Sequence, residues 1–304
     1  MMSRDNAQTA SVDILLSSYN GEKYLRTQLD SILAQTWKNL TLRIRDDGST
    51  DGTRKILAEY EKKYDNVIVY YEENVGLVKS FLKLVSYSDA DYVGFSDQDD
   101  YWLPEKVERA VELLSKEKGP ALYSSNQTLV DNDLKVLPGE TVPHPVPGFG
   151  NAVVESMCTG CTVLMNRELV SLVKKDLPDH AIWHDWWCYL VCEYCGTYVF
   201  DDRSFIYYRQ HGDNQLGSSR STLQMIKNKW DFLKKTRGKL GAQLTDFQKR
   251  FRGNGEKDAL VDQLLKSRSN ILSRFKLAFS SRIYRQKRLD GFVMRCLILI
   301  NKML

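Results

Sequence analysis

The stretch that decides the fold is YVGFSDQDD, residues 92–100. Its first part is apolar and β-prone, which predicts a buried strand. Three carboxylates follow at once, at Asp97, Asp99 and Asp100. Carboxylate oxygens on a short loop suit Mg²⁺ or Mn²⁺, ions that bridge protein carboxylates and substrate phosphates. The alternative is an acidic turn that only caps the next helix, a role open to Asp100 ahead of Pro104.

The sequence before this stretch alternates between strand and helix patterns. Short apolar or β-branched runs predict strands at residues 12–16, 40–44 and 67–71. Apolar residues at helical spacing predict helices over 24–35 and 77–87. Such alternation predicts an α/β fold, with a mostly parallel, Rossmann-like sheet flanked by helices.

Polar loops follow three of the predicted strands, at residues 17–22, 46–51 and 97–100. Ligands of parallel sheets bind beyond the carboxyl ends of the strands, so these loops should converge on one crevice. In DDGSTD, residues 46–51, one carboxylate could accept a pyrimidine N–H and another could orient ribose or metal. The alternative is a capped turn in which Ser49 and Asp51 begin a helix.

Length and composition narrow the class of protein. The chain has 304 residues, of which 42% are hydrophobic and 27% charged, as in soluble globular proteins. The polar first ten residues give no secretory signal, and no apolar run is long enough for a membrane span. The six cysteines do not form the pattern of a secreted disulfide framework. We therefore expect a cytoplasmic protein.

The net charge of +4 conceals an uneven distribution. Residues 227–304 contain 20 Lys and Arg against 6 Asp and Glu, whereas the first 226 residues carry 23 basic and 33 acidic side chains. This contrast predicts chemistry in the acidic body and attachment to an anionic partner through the basic tail.

Four motifs, in order, resemble the family 2 glycosyltransferases with a GT-A fold. They are SSYNGEKYL at 17–25, DDGSTD at 46–51, NVG at 74–76 and DQDD at 97–100. The resemblance implies a nucleotide-diphosphate sugar donor and a Mn²⁺ or Mg²⁺ cofactor. The implied donor-site residues are Ser18, Tyr19, Asn20, Asp46, Asp47, Asn74, Lys79, Asp97, Gln98 and Arg209.

Later motifs are similar to the bacterial rhamnosyltransferase branch, whose members build cell-wall polysaccharide and O-antigen from dTDP-L-rhamnose. These are TG at 159–160, HDWW at 184–187 and YRQHGDN at 208–214. The likeness implies Asp185 as catalytic base and Asp99 and His211 as metal ligands. It implies acceptor contacts from Thr159, Gly160, His184 and Trp186.

Several of these residues have a second interpretation. His211 could instead contact a phosphate or be an ordinary loop histidine. His184 could orient Asp185 or cap the helix that follows. The guanidinium of Arg209 matches diphosphate geometry. The aromatic residues Trp183, Trp186 and Trp187 could stack on a sugar, or they could belong to the core.

An inverting transfer needs a carboxylate that takes a proton from the acceptor hydroxyl. The resemblance places Asp185 on this acceptor side and Asp99, with its metal, on the leaving-group side. Processive synthases of the superfamily carry Gln-x-x-Arg-Trp and membrane spans, neither of which is found in this sequence. A non-processive enzyme is therefore expected.

Two C-x₂-C pairs, at 158–161 and 192–195, have the spacing of zinc ligands. However, Cys188, Cys192 and Cys195 also lie on one helical face, which is typical of buried thiols. We favour buried thiols over structural zinc.

The likeness ends near residue 217. It implies a glycosyltransferase domain over 1–217, with donor binding in 1–104 and the acceptor and catalytic part in 105–217. Residues 218–304 form a basic helical extension, broken at Gly253-Asn254-Gly255. Basic and apolar residues over 271–304 predict a membrane-surface helix, or alternatively a helix that packs on the body or on a partner subunit. No nucleic-acid motif accompanies them.

The sequence thus predicts an inverting, metal-dependent, non-processive glycosyltransferase, peripheral on the inner face of the cell membrane. The expected reaction moves L-rhamnose from dTDP-L-rhamnose to a lipid-linked cell-wall polysaccharide or O-antigen acceptor. One alternative is a UDP-hexose donor on the same fold, for galactosyl or GlcNAc transfer. The other is a non-catalytic subunit of a membrane polysaccharide assembly complex. A homo-oligomer is compatible with any of these.

Overall fold

The computed structural model describes residues 9–138, 145–210 and 238–304. An eight-stranded sheet runs through the first two ranges in the order β3-β2-β1-β4-β7-β6-β8-β5. Its strands are β1 (Val12–Ser18), β2 (Leu40–Asp47), β3 (Val67–Glu72), β4 (Tyr92–Ser96), β5 (Tyr101–Trp102), β6 (Ala121–Val130), β7 (Leu164–Asn166) and β8 (Thr197–Arg209).

Eleven α-helices lie within the described ranges. They are α1 (Leu25–Leu33), α2 (Thr53–Lys63), α3 (Leu77–Ser86), α4 (Lys106–Leu114), α5 (Phe149–Ala152), α6 (Arg167–Lys175), α7 (His184–Cys195), α8 (Lys239–Arg250), α9 (Gly255–Lys266), α10 (Ile271–Ala278) and α11 (Arg288–Leu299).

The first half of the sheet confirms the predicted parallel α/β pattern. Strand β1 pairs in parallel with β2 and β4, and β2 pairs in parallel with β3. Every residue of β1 is buried, with Ile14, Leu15 and Leu16 fully enclosed. An unbroken apolar run of this kind is expected of a parallel strand covered by helices on both faces. The carboxyl ends of β1, β2 and β4 therefore open on one edge of the sheet.

The second half is mixed because β7 pairs antiparallel with both β4 and β6. Strand β7 begins at Leu164 and does not extend back to residue 160. Residues Gly160–Thr162 instead form a 3₁₀ turn. The Thr162 backbone N–H and hydroxyl both bind the carbonyl oxygen of Thr159, at 2.8 and 2.7 Å, and this closes the turn.

The helices after residue 238 share an apolar core with α5 and α7. Phe247 of α8 packs edge-on against Tyr194 of α7, with 5.3 Å between ring centroids. Two buried polar side chains of α8 hold the loop that leads into α7. Asp246 accepts the backbone N–H of His180 at 2.9 Å, and Gln243 accepts that of Ile182 at 2.8 Å. Helix α8 therefore positions the start of α7.

The break predicted at Gly253-Asn254-Gly255 is confirmed, since α8 ends at Arg250 and α9 begins at Gly255. The predicted domain boundary at residue 217 lies outside the described residues and stays a prediction. Of the helices in the described ranges, none combines the length and apolar character that crossing a bilayer requires.

Candidate active site

A cleft of about 1040 Å³ opens at the carboxyl edge of the sheet. One side is formed by the loops after β1 and β4, as the sequence predicted, together with Asp47 at the end of β2 and the segment 74–77 after β3. The facing side is formed by residues 154–160 and 182–186. A cleft of this volume is typical of a site for a nucleotide-sized ligand.

Gln98 joins residues 97–100, which we call the acidic loop, to the loop after β1. Its Oε1 accepts the Ser18 hydroxyl at 3.0 Å and the Tyr19 backbone N–H at 2.9 Å, and its Nε2 donates to the Tyr19 carbonyl at 3.1 Å. A Cβ at Gly21 would lie 2.3 Å from the same Oε1, so any larger residue there would displace the Gln98 amide. Tyr19 itself is half exposed in the cleft.

Asn20 connects this loop to the loop after β2. Its φ of 49° is left-handed, a conformation that asparagine tolerates better than most residues. In this position its Oδ1 accepts the Thr50 backbone N–H at 2.8 Å, and its own N–H binds the Ser49 hydroxyl at 3.0 Å. The predicted cap role of Ser49 is therefore replaced by this contact, whereas Asp51 does accept the Thr53 N–H of α2 at 3.0 Å.

Asp47 lies in the cleft wall and is held by a buried arginine. Its two carboxylate oxygens accept the backbone N–H groups of Val75 and Gly76 at 2.8 and 2.9 Å. Arg45, which is fully buried, forms a salt bridge with the same carboxylate. A single buried charge would be costly, so this pairing fixes both residues.

Asp46 and Lys79 lie elsewhere than predicted. Asp46 is fully buried outside the cleft lining and accepts Arg54 Nε at 2.7 Å, so it supports the turn rather than lining a base pocket. Lys79 is exposed on α3 and lines a separate groove with Pro178. Asn74, by contrast, does line the cleft.

The acidic loop brings carboxylates together at the cleft floor. Asp97 and Asp99 both line the cleft. Burial, together with the charges of Asp99 and Asp185, raises the pKa of Asp97 to about 7. Ligand atoms of Asp97, Asp100 and Cys161 lie within 4.8 Å of one another, the one metal-capable group of three among the described residues. Asp99 is not a member of that group, and its role as metal ligand stays a prediction.

Asp100 is not the helix cap that the sequence allowed. Helix α4 begins at Lys106, after Glu105, without a side-chain cap. Asp100 is instead fully buried, and its Oδ1 accepts the Arg209 backbone N–H at 3.1 Å. Its Oδ2 has no hydrogen-bond partner among the described residues, and burial raises the pKa of this carboxyl well above its usual value.

Arg209 supports the acidic loop from behind. It is buried, its Nε donates to the Asp99 carbonyl at 2.7 Å, and Nη1 donates to the Asn132 carbonyl. Its guanidinium lies over the Tyr24 ring at 4.6 Å. Arg209 is not among the residues that line the cleft, so the predicted contact with a diphosphate finds no support in this arrangement.

Lys106 was missed by the sequence analysis. It is almost fully buried, and its ammonium lies over the Trp102 ring at 3.5 Å. Burial lowers its pKa to about 8, although Cys161 and Asp100 favour the charged form. The sequence did contain one signal for the burial of Lys106. It is the first residue of α4, and it shares a helical face with buried Ala110, four residues later.

Asp185 faces the acidic loop from the start of α7. Burial raises its pKa to about 6, and hydrogen bonds from the backbone N–H groups of Trp186 and Gly160 counteract the rise. The Trp186 N–H donates to Asp185 Oδ1 at 2.7 Å. Thr159 lines the cleft beside these residues. A carboxylate with a pKa near 6 is ionised at neutral pH and basic enough to accept a proton.

His184 is a buried neighbour of Asp185. Its imidazole stacks on Phe81, with 4.0 Å between centroids, and meets Phe95 edge-on at 4.7 Å. Burial lowers its pKa to about 3, so the ring is neutral. Neither ring nitrogen has a hydrogen-bond partner among the described residues, so His184 neither orients Asp185 nor caps α7. A Cβ at Gly160 would lie 2.9 Å from its Nε2, which explains the glycine.

The tryptophans divide between cleft and core. Trp183 and Trp186 line the cleft, and Trp186 donates from its indole to the Ala152 carbonyl at 2.7 Å. Trp187 is fully buried in the core.

The cysteines are all free thiols. Cys188 and Cys192 are buried, as predicted, whereas Cys195 is exposed. The two C-x₂-C pairs do not come together as a metal group in the described part of the chain.

Comparisons with known proteins agree with this geometry. The model of glycosyl transferase family 2 matches residues 13–172. The chain belongs to this family. It is 27% identical to the dTDP-rhamnosyl transferase RfbG of Shigella flexneri over 234 residues, which are 71% of this chain and 80% of that protein.

Solved structures of glycosyltransferases share the fold of this family 2 enzyme. S. aureus TarS 1-349 in complex with UDP-GlcNAc has a TM-score of 0.61 at 16% identity, over 97% of this chain and 82% of that one. Mannosyltransferase PcManGT from Pyrobaculum calidifontis, in complex with GDP-Man and Mn²⁺, has a TM-score of 0.54 at 12% identity, over 88% of this chain and 72% of that one. The predicted GT-A fold with C-terminal helices is thereby confirmed.

The cleft of this family 2 glycosyltransferase is also lined by residues that the sequence analysis assigned to the tail. Six of them line the cleft, namely Leu240, Arg285, Met294, Leu297, Lys302 and Met303. No motif carries these positions, because their place depends on contacts between residues 60 or more apart in sequence. His211, the other predicted metal ligand, lies outside the described residues.

Proposed function

We propose that this glycosyltransferase is inverting and metal-dependent, and that it transfers one sugar from a nucleotide-diphosphate donor to an acceptor hydroxyl. The observation that carries the proposal is that Asp185 and the acidic loop share one cleft. They lie close enough for the charge of Asp185 to raise the pKa of Asp97. A displacement with inversion requires a base on one side of the reacting carbon and a leaving-group site on the other.

The acidic loop suits a divalent cation. Asp97 and Asp99 repel one another at the cleft floor, and buried Asp100 has an unpartnered oxygen. A hard cation such as Mn²⁺ or Mg²⁺ would relieve this repulsion through oxygen ligands. When bound, the ion neutralises charge that develops on the departing diphosphate. The Mn²⁺ in the PcManGT complex supports the same assignment.

Asp185 acts as the general base. Its ionised carboxylate takes the proton of the acceptor hydroxyl while that oxygen bonds to the anomeric carbon, and the bond from this carbon to the diphosphate oxygen breaks. The N–H groups of Trp186 and Gly160 hold the carboxylate in place. Neutral His184 and Trp183 border the same space and would contact the acceptor.

The donor is proposed to be dTDP-L-rhamnose. Support comes from the motif resemblance and from RfbG, which is named a dTDP-rhamnosyl transferase and matches 71% of this chain. A UDP-hexose is the second candidate, because the TarS structure, with the same fold, holds UDP-GlcNAc. The acceptor is proposed to be a lipid-linked cell-wall polysaccharide or O-antigen precursor.

The C-terminal helices are proposed to dock on anionic lipid. Helix α10 exposes Phe275, and Phe279 directly after it is 77% exposed. Helix α11 exposes Phe292 at 65%. Basic side chains flank these aromatics, for example Lys276 and Arg288. Apolar side chains with adjacent cations favour an anionic membrane surface over water.

A donor panel tests the proposal. Purified protein is incubated with Mn²⁺, a synthetic prenyl-diphosphate glycan and one donor at a time. The donors are dTDP-rhamnose, UDP-galactose, UDP-GlcNAc and GDP-mannose, and the products are identified by mass spectrometry. Transfer from dTDP-rhamnose is expected. If transfer occurs only from a UDP-sugar, the proposed donor is wrong and the proposed mechanism stands. If no donor is consumed with any acceptor or with water, the non-catalytic alternative stands.

A further inference from the structure

We infer that the C-terminal helices complete the acceptor site with a subsite for a phosphate group joined to an apolar chain. The inference rests on the proposed function, because it names the acceptor class that would reach Asp185. It concerns the six cleft-lining residues between Leu240 and Met303, which we call the C-terminal wall.

The C-terminal wall is fixed to the catalytic region by residues 282–286. The Tyr284 hydroxyl donates to the Pro147 carbonyl at 2.8 Å, and the Gln286 N–H donates to Glu155 Oε2 at 2.9 Å. Backbone contact is so close that a Cβ at Gly150 would lie 1.9 Å from the Arg282 carbonyl oxygen. A segment with this many specific contacts belongs to the architecture of the cleft.

Most of the C-terminal wall is apolar. Met294 and Leu297 of α11 and Met303 beyond it face the cleft together with Leu240 of α8. The catalytic region adds Met157, Ile182 and Trp183 to the same lining. A sugar hydroxyl gains little from such a surface, whereas a hydrocarbon chain gains about 25 cal/mol for each Å² removed from water. Flexible methionines also adapt to an irregular chain.

The charges of the C-terminal wall are cationic. The Arg285 guanidinium donates two hydrogen bonds to Glu155 Oε1, both at 3.1 Å, so Glu155 balances its charge. Lys302 is exposed in the cleft lining and forms no ion pair within the described residues. A net positive charge therefore remains at Lys302, beside the apolar lining. This combination suits a phosphate or diphosphate next to a hydrocarbon.

The solvent-exposed side of the same helix is also partly apolar. Leu289 and Phe292 are exposed on α11, and Ile300 is exposed just after it. A chain that leaves the cleft along α11 would therefore meet an apolar surface before water. The occupant that fits both sides is a phosphate-linked lipid rather than a free sugar phosphate.

Direct binding tests this inference without turnover. Geranyl diphosphate, inorganic pyrophosphate and geraniol are titrated into the full chain by isothermal calorimetry in EDTA, so that no metal holds a diphosphate at the acidic loop. Geranyl diphosphate is expected to bind at least tenfold tighter than either fragment. Lys302→Glu should weaken it at least tenfold, and Leu297→Ser should also weaken it. Lys62→Glu, the same charge change at an exposed position on α2 away from the cleft, should stay within twofold of wild type.

Several results would overturn the inference. They are undetectable binding of geranyl diphosphate, binding no tighter than that of pyrophosphate, or equal binding by wild type and Lys302→Glu. Because no donor is present, these outcomes do not depend on whether the donor panel succeeds. Donor consumption with normal Lys302→Glu binding would remove the subsite and keep the proposed function. Tight geranyl diphosphate binding without donor consumption would do the reverse.

Discussion

Gln98 holds the main chain of Tyr19 at both ends of one amide, with Oε1 2.9 Å from the Tyr19 nitrogen and Nε2 3.1 Å from the Tyr19 oxygen. The middle residue of the acidic loop thereby sets the position of the loop after β1. The proposed metal site and the proposed nucleotide site are consequently one rigid unit, although they come from different strands.

Replacing Gln98 should loosen this unit. Gln98→Ala removes three hydrogen bonds, each worth about 0.5–1.5 kcal/mol net, and leaves the Tyr19 groups to water. We expect the Kd of the nucleotide donor to rise about tenfold, with a smaller loss in kcat. Equilibrium binding of nucleotide with Mn²⁺ measures this. Gln263→Ala on α9, away from the cleft, is the matched control, and equal donor affinity in both variants would argue against the clamp.

The pKa of Asp185 predicts a stabilising mutation. Burial raises this pKa from 3.8 to about 6, so the ionised form is less favourable in the fold than in the unfolded chain. The ionised carboxylate therefore lowers the free energy of unfolding. This destabilisation is fully present above about pH 6 and disappears below about pH 4. Asp185→Asn should therefore raise Tm at pH 8 and have little effect near pH 4. A Tm that falls equally at both pH values would show that Asp185 is a structural group.

Divalent metal should stabilise the protein through the acidic loop. A ligand that binds only the folded state at a hundred times its Kd adds about 2.7 kcal/mol. Mn²⁺ with a nucleoside diphosphate should therefore raise Tm, and EDTA should reverse the rise. Asp97→Asn and Asp99→Ala should lose the response, whereas Asp202→Asn, an exposed carboxylate away from the cleft, should keep it. An unchanged rise in Tm in both Asp97→Asn and Asp99→Ala would show that the metal binds elsewhere.

Gly150 should be essential for seating residues 282–286. In Gly150→Ala the new Cβ would meet the Arg282 carbonyl at 1.9 Å, a backbone atom that cannot yield without displacing the segment. We expect a Tm lowered by several degrees and faster proteolysis in the C-terminal helices. Gly291→Ala on α11 has open space at its Cβ and should be neutral or stabilising by up to about 1 kcal/mol. Matching behaviour of the two variants would contradict the close contact.

The exposed phenylalanines should carry membrane binding. The triple substitution of Phe275, Phe279 and Phe292 by Ser removes three exposed aromatic rings. Each ring, when fully buried in the membrane, contributes roughly 1.5–3 kcal/mol to the free energy of binding. Flotation with vesicles rich in anionic lipid should fall at least about a hundredfold. Tyr71→Ser, an exposed aromatic on β3, serves as control. High salt should weaken wild-type binding. Equal flotation of all three proteins would refute docking through these helices.

The sequence predicted the parallel half of the sheet well because local pattern and ligand position coincide there. An apolar strand followed by a polar loop marks both the strand and its functional end, as in β1, β2 and β4. The same pattern located Asp97 and Asp99, and the family resemblance added Asp185, which lines the same cleft. The order of the four motifs then indicated the glycosyltransferase family, which the local patterns alone did not.

What the sequence did not predict depends on distant contacts. Arg209 carries the side chain of a phosphate ligand, yet burial against Asp99 and Asn132 gives it a supporting role. Asp100 resembles a helix cap but is fixed by the Arg209 N–H. Lys302 lies in the cleft because residues 282–286 are anchored to an earlier part of the chain. One of these anchors joins Arg285 to Glu155, 130 residues earlier in sequence. A single sequence carries no signal for such pairs.

The most direct test of the account is the transfer rate of Asp185→Asn beside wild type, measured with saturating donor and Mn²⁺ and varied acceptor concentration from pH 5 to 9. Wild-type kcat/KM should rise with pH to a plateau above a pKa near 6, since the ionised carboxylate is the base. Asp185→Asn should lose at least about a hundredfold in kcat, within the range for general-base catalysis, while it binds the donor normally. Transfer by Asp185→Asn at the wild-type rate, with the same pH profile, would contradict the account.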